Sequence, residues 1–271
     1  MSSELFPPIP ADTAAAARSV FGRSNFYIST GDRANGLFSG LMLEDTDGRN
    51  GKSARRLAEL YLITIFQFME TLPDPPAAEA LRVRVDWKYA LHLPLNCLGL
   101  DAGVLCEFRR WLLVQRSREE NLQILLSRLR EVLGFSSKRN ASLESRQLVI
   151  TVCEYSRLAK IWETMCQAIE GLAAQQPAWL RQINLPYWYE RYGRHRKKIN
   201  LAARGAEQEA LAQAIGSDGA FLLKAISESD APGLEQLPEV SALKQVWQDQ
   251  YVWVEGEVFW RKEACEACPL A

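Results

Sequence analysis

The sequence predicts an all-α protein, an N-terminal helical domain followed by a second helical region. Three observations carry that expectation. Apolar residues recur at steps of three and four in nearly every segment. Capping residues, prolines and glycines stand where such segments begin and end. Runs that alternate as strands do are lacking, so about 60% or more of the chain is expected as helix, against a usual third. The 271 residues are 48% hydrophobic and 24% charged, an ordinary globular balance. Eight tryptophans need burial, which excludes a disordered chain. No apolar run of about 18 residues is present to span a membrane.

The elements follow in order. Ser53 is an N-cap for a helix to Met69, with Leu57, Leu60, Tyr61, Ile65 and Phe68 on its inward face. Asp74-Pro75-Pro76 opens a helix from Ala77 to Val85, since proline is tolerated in a first turn. Residues 86–91 are a short helical piece stopped near Pro94, and 96–101 are a turn. Ala102 to Val114 is a helix with Leu105, Phe108 and Leu112 inward; with 86–91 it makes a helix-turn-helix-like unit. Ser117-Arg118-Glu119-Glu120 has the pattern of a capping box for a helix to Leu133, and Gly134 takes the left-handed C-terminal position.

The polar stretch 136–141 marks a boundary, which gives domains 1–135 and 136–271. Beyond it, apolar residues at 148, 152, 155, 158, 162, 165, 169 and 172 predict a long amphipathic helix over 144–174. The β-branched run Val149-Ile150-Thr151-Val152 has strand character, but it has no partner strand and is expected as helix. Further helices are expected at about 178–184, 203–215, 218–228 and 239–254, with Pro186, Gly216 and Pro232-Gly233 between them.

Net charge is −1, yet it is unevenly spread. Residues 101–200 hold 17 Lys/Arg against 10 Asp/Glu, and residues 201–271 hold 5 against 12. Such asymmetry points toward a polyanionic partner for the basic part. Arg82, Arg84 and Lys88 lie just before or within the helix-turn-helix-like stretch. Arg109, Arg110, Arg116 and Arg118 lie on or after its second helix. Arg191, Arg194, Arg196, Lys197 and Lys198 form a dense run beside Tyr187, Trp188, Tyr189 and Tyr192. Cations of this kind neutralise phosphates and release counterions, which would suit double-stranded DNA as a partner; the pattern by itself reads equally as a solvated surface face.

Other motifs read as structure. Gly48-Arg49-Asn50-Gly51-Lys52-Ser53 has two residues between its glycines where a phosphate loop has four, so a polar loop and an N-cap are expected. Cys265-Glu266-Ala267-Cys268 has zinc-knuckle spacing without the two further ligands a structural zinc requires. His92 and His195 are the two histidines; the first is expected in a core or turn. Residues 1–10 lack a basic-then-apolar export signal. The expected location is therefore the cytoplasm, and the six cysteines are expected as reduced, mostly buried thiols.

The segment Phe66-Gln67-Phe68-Met69-Glu70, Ala77-Ala78-Glu79-Ala80-Leu81-Arg82, Asp86-Trp87-Lys88-Tyr89-Ala90-Leu91, Leu93-Pro94-Leu95 and Glu107-Phe108-Arg109 resembles the N-terminal domain of bacterial insertion-sequence DDE transposases of the InsH type. Ser156-Arg157-Leu158, Pro177-Ala178-Trp179-Leu180, Ile215-Gly216, Asp218-Gly219 and Leu237-Pro238 are similar to the helical region of longer members, so the likeness covers about residues 9–252. Such enzymes hold two Mg²⁺ ions with three carboxylates on an RNase H-like sheet. The resemblance places Glu144 at the first of these, with Arg146 and Gln147 replacing family residues; the second and third have no counterpart. It therefore implies a chain truncated before the catalytic core, with no complete RNase H-like sheet, no catalytic residue and no cofactor. Mg²⁺ enters only with a residual nuclease activity, which would show as metal-dependent nicking lost in Glu144→Ala.

The function expected is thus a non-catalytic, transposase-derived DNA-binding protein acting on transposon-end or regulatory DNA. The alternative is an interaction module that uses the 148–172 stripe to pair with itself or with a full-length transposase.

Overall fold

A computed structural model describes residues 4–43, 53–134, 144–193 and 205–261. The described chain is overwhelmingly helical, with one two-stranded antiparallel sheet, so the all-α expectation holds. None of its helices is long and apolar enough to cross a membrane. The chain divides into two compact units at Cys153/Glu154. The expected division at 135/136 falls beside residues 135–143, which lie outside the described set.

The first unit holds α1 (Ala11–Val20), α2 (Phe26–Asp32), α3 (Ala34–Leu37), α4 (Ala54–Glu70), α5 (Asp74–Val83), α6 (Val85–Ala90), α7 (Ala102–Val114), α8 (Arg116–Leu133) and the start of α9 (Ser145–Gln175). Its axis is α4. The Ser53 hydroxyl accepts the Arg56 N–H at 3.3 Å, as an N-cap should. The five inward residues expected there are buried, and so is every other residue from Leu57 to Phe68. A helix apolar on all sides belongs in the middle of a packed unit. Tyr27 meets Phe66 edge-on at 4.9 Å between ring centres, and Trp87 packs on the same ring at 5.2 Å. Contacts of this geometry add about 0.5–1.5 kcal/mol each beyond their buried area.

Two local expectations are corrected. The residues 117–120 form no capping box. The N-cap of α8 is Gln115, which makes no side-chain cap bond, and Glu120 instead pairs with Arg116 at 3.2 Å. The α7 chain leaves its helix one residue before α8 begins, which leaves no room for Ser117 outside the helix. The connection between α6 and α7 runs from Leu91 to Asp101, longer than the three- or four-residue turn of a helix-turn-helix. Gly134 does take the left-handed C-cap, at φ 60°.

Helix α9 forms over almost the expected span, and Val149 to Val152 lie within it. Its start is held in the first unit, where the Ser145 N–H donates to Gln123 Oε1 at 2.8 Å and Arg146 pairs with Glu119 at 2.6 Å. From Glu154 onward it belongs to the second unit.

The second unit adds α10 (Pro177–Ile183), α11 (Trp188–Tyr192), α12 (Ala206–Ser227), α13 (Pro238–Gln250), β1 (Tyr251–Val254) and β2 (Glu257–Trp260). Leu158, Met165 and Leu172 of α9 are buried in its core with Trp188, Ile215, Leu222 and Trp247, and Trp162 and Ile169 pack against that core. The stripe is therefore internal, and the interaction-module alternative loses the surface on which it was based.

Gly216 does not separate two helices, as the sequence led us to expect. α12 runs continuously through it, because Gly216 and Gly219 are where aromatic rings lie on the helix. A β-carbon at Gly216 would stand 2.3 Å from Tyr251 Cε1, and one at Gly219 2.1 Å from Trp247 Cζ2. The Trp247 indole N–H donates to the Gly216 carbonyl at 2.9 Å, and the Tyr251 hydroxyl to the Ala212 carbonyl at 2.8 Å. The helix expected to 254 stops at Gln250 and turns into the hairpin. Glu255 and Gly256 both have positive φ, 51° and 87°, the pair of left-handed residues that a tight two-residue hairpin turn demands. Arg157 fastens α9 to the hairpin base: Nε donates to Gln250 Oε1 and Nη2 to the Arg261 carbonyl, each at 2.7 Å.

Among the cysteines, Cys97 and Cys166 carry thiols, but Cys106 and Cys153 are disulfide-bonded. Both are buried, and the expectation of uniformly reduced cysteines is corrected for them. Cys265 and Cys268 lie outside the described residues, as do Gly48 to Lys52 and His195.

Candidate nucleic-acid interface

The cations of the first unit fall into two groups that sequence spacing does not separate. Arg109 is wholly buried. Its Nη1 donates to Asp74 Oδ1 at 2.7 Å and to Gln67 Oε1 at 3.3 Å, and its Nη2 to Asp74 Oδ2 at 2.5 Å. Asp74, the first residue of α5, is equally buried. A guanidinium fork fits a carboxylate in this bidentate way, and the pair locks α7 to α5. Lys88 is also buried, with Nζ donating to the Leu95 carbonyl. Arg84 bridges the α5–α6 corner, bidentate to Asp86 at 3.0 and 2.6 Å and bonded to Glu70. Its guanidinium lies over the Tyr27 and Trp87 rings at 5.1 and 5.2 Å. Burial works against its charge, but Asp86 and Glu70 outweigh that and hold its pKa above the usual arginine value. Arg84, Lys88 and Arg109 are therefore withdrawn as phosphate contacts: Lys88 and Arg109 are buried, and Arg84 is held by Asp86 and Glu70.

Arg82 and Arg116 remain in solvent. The Arg82 side chain is 59% exposed, with Glu79 at 3.4 Å, and that of Arg116 is 92% exposed, with Glu120 at 3.2 Å. Exposed pairs of this kind contribute about 0–1 kcal/mol, so either arginine can leave its acidic partner at little cost. The stem of Arg82 crosses Gly99, where a β-carbon would stand 2.6 Å from Arg82 Cγ; glycine at φ +82° there lets the chain pass beneath the arginine. Arg110 is half-buried. Arg118, the fourth cation of that stretch, is buried with its guanidinium 4.0 Å above the Trp111 ring.

In the second unit the aromatic-basic run is split. Trp188 and Tyr192, one turn apart on α11, point into the core, while Tyr187 and Tyr189 are exposed. Asp218 of α12 gathers the Tyr187 hydroxyl at 2.8 Å, the Tyr192 hydroxyl at 2.6 Å and the Arg191 guanidinium. Burial first, and the Asp218 charge second, push the Tyr192 phenol well above its usual range. Arg191 is thus a structural cation, with about a third of its side chain in solvent. Arg194, Arg196, Lys197 and Lys198 lie outside the described residues.

His92 is both a core and a turn residue: its φ is 54°, and its Nδ1 and Nε2 face the carbonyls of Pro7 and Gly31 at 2.5 and 2.9 Å. Glu144 is exposed just before α9, and its carbonyl accepts the Leu148 N–H at 3.0 Å. Among the described residues no group of three or more His, Cys, Asp or Glu converges as a metal site would.

Sequence reading missed the exposed arginines Arg18, Arg23 and Arg33 of the α1–α3 region. The signal was faint, because the three are spread over an alanine-rich segment and a polar one with no basic run. Arg18 donates to the Tyr89 hydroxyl at 2.7 Å, and that hydroxyl donates to Asp32 at 2.6 Å. Compared with known proteins, the chain matches no family model, no curated protein and no solved structure.

Proposed function

We propose that this chain is a transposase-derived DNA-binding protein that grips double-stranded DNA through its phosphates and does not cut it. The observation that carries the reading is a division among the cations. Arg84, Lys88 and Arg109 bond to partners within the first unit, while Arg82 and Arg116 stand in solvent beside single exposed carboxylates. A duplex offers about one phosphate per 1.7 Å of axis, and solvent-facing guanidiniums exchange a weak acidic partner for it. The basic balance of residues 101–200, 17 cations against 10 anions, supports the same ligand. The reading is binding on transposon ends or regulatory DNA.

A DNA ligand makes the cytoplasm the working location. The disulfide-bonded Cys106 and Cys153 stand against a strongly reducing compartment, and alkylation of the protein before cell lysis decides the point.

The test is an electrophoretic shift of the whole protein on duplexes carrying candidate inverted repeats, repeated over a salt series. Binding that weakens linearly in log–log with salt supports the reading. No shift at low salt ends it.

A further inference from the structure

Within the first unit, the junction of α2 and α3 forms one side of an open cleft of about 540 Å³, which His92 and α8 complete. Its size is in the range of small-molecule sites. Two arginines line it, Arg33 at the junction and Arg128 from α8. Arg128 is aimed by the main chain: one nitrogen, Nη1, donates to the carbonyls of Leu37 and Ser39 at 2.7 and 2.8 Å. The remaining donors of its fork, Nε and Nη2, have no protein partner among the described residues. Arg33 makes one long bond, 3.4 Å to the Ser29 carbonyl, and neither arginine has an acidic partner among the described residues.

One carboxylate, Asp32, lines the same cleft. It is already engaged, because its Oδ1 accepts both the Tyr89 hydroxyl at 2.6 Å and Arg18 Nη2 at 3.4 Å. With Arg18 set against Asp32, the two remaining guanidiniums leave the cleft positive. The other walls are packed: both His92 ring nitrogens lie against carbonyls, and the Asn35 side chain pairs with the Phe6 main chain at 2.8 and 3.0 Å. A concave site with two guanidiniums that lack acidic partners among the described residues is complementary to a tetrahedral oxyanion, which accepts two forks at once.

We infer that this cleft is a phosphate-binding site, with Arg33 and Arg128 as the cations that hold the phosphate. The chemistry is shared by a backbone phosphate of DNA and by a free phosphorylated ligand the size of a mononucleotide. The inference rests on the DNA-binding reading only in the first of these cases.

The test uses the full chain, with inorganic phosphate and a nucleoside monophosphate as probes followed by NMR or calorimetry, and with a labelled duplex as competitor. Both probes are expected to bind, and Arg33→Ala to weaken them about tenfold, as loss of one charge-assisted contact does. Arg33 is exposed and lightly bonded, so this variant folds. Arg128→Lys keeps the charge, loses the fork and gives a similar loss, with thermal unfolding checked because Arg128 also supports the α3 loop. Competition by the duplex, with the same loss for Arg33→Ala, assigns the phosphate to DNA; absence of competition assigns it to a free ligand. Probes that fail to bind, or that bind Arg33→Ala as tightly as the parent, overturn the inference. If duplex binding survives that failure, the reading above stands without it. If the probes bind but no duplex does, that reading falls and the cleft remains.

Discussion

The Arg109 guanidinium and the Asp74 carboxylate face each other in a bidentate pair from which solvent is wholly excluded, joining residues 35 positions apart in sequence. Removing two charges from water is costly, and their attraction repays it only with both partners in place. Arg109→Ala or Asp74→Ala is expected to cost about 3–5 kcal/mol, because each strands a buried charge. The joint replacement Asp74→Leu with Arg109→Met is expected to cost much less than the sum. Urea denaturation of the four proteins measures this. If the double variant still binds duplex DNA like the parent, Arg109 is confirmed as structural; selective loss of binding from a stable double variant would return it to the interface.

Arg82 and Arg116 are expected to behave oppositely. Arg82→Ala and Arg116→Ala should leave urea midpoints nearly unchanged, since their ion pairs are exposed. Each should weaken duplex binding at every sequence tested and lower the magnitude of the salt slope by about 1. A salt slope identical to the parent would remove that arginine from the contact set.

The glycines of α12 make a packing prediction. Gly219→Ala drives a methyl into the Trp247 ring and Gly216→Ala into the Tyr251 ring. Overpacking of this kind costs about 1–3 kcal/mol, although alanine is the better helix former by about 1 kcal/mol. Thermal unfolding should show both variants destabilised. Gly36→Ala in α3 meets nothing within 4 Å and should be neutral or slightly stabilising. A gain in stability for Gly219→Ala would mean that the ring does not lie on the helix.

Alkaline pH probes the buried phenols. Burial is the largest cause raising the pKa of Tyr27, Tyr61, Tyr192 and Tyr251. An unfolded tyrosine loses its proton near pH 10, whereas these keep theirs in the folded protein. The stability they confer is complete below about pH 10 and falls as pH rises beyond it, by up to about 1.4 kcal/mol per pH unit for each. Phenolate absorbance and circular dichroism followed together should show these phenols ionising in one steep step with unfolding. Gradual ionisation on a protein that keeps its helical signal would contradict their burial.

The helical class, the capped start of α4 at Ser53, the proline-opened α5, the left-handed Gly134 and the long span of α9 were legible from residue spacing alone. Helix periodicity and end signals are local, acting over three or four residues, so a linear reading captures them. The division between Arg109, sealed against Asp74, and Arg116, exposed beside Glu120, was not legible. An arginine's role depends on whether its carboxylate partner is buried with it, and Asp74 meets Arg109 only once α5 packs on α7. Gly216 looked like a break because a glycine's weak helix propensity is visible in sequence, whereas the Tyr251 ring that requires it stands 35 residues away. The cleft was hidden for the same reason: Arg33 and Arg128 line it from positions 95 residues apart. Local spacing determined which segments are helices, and only the tertiary packing decided which of their charges remain free to meet a ligand.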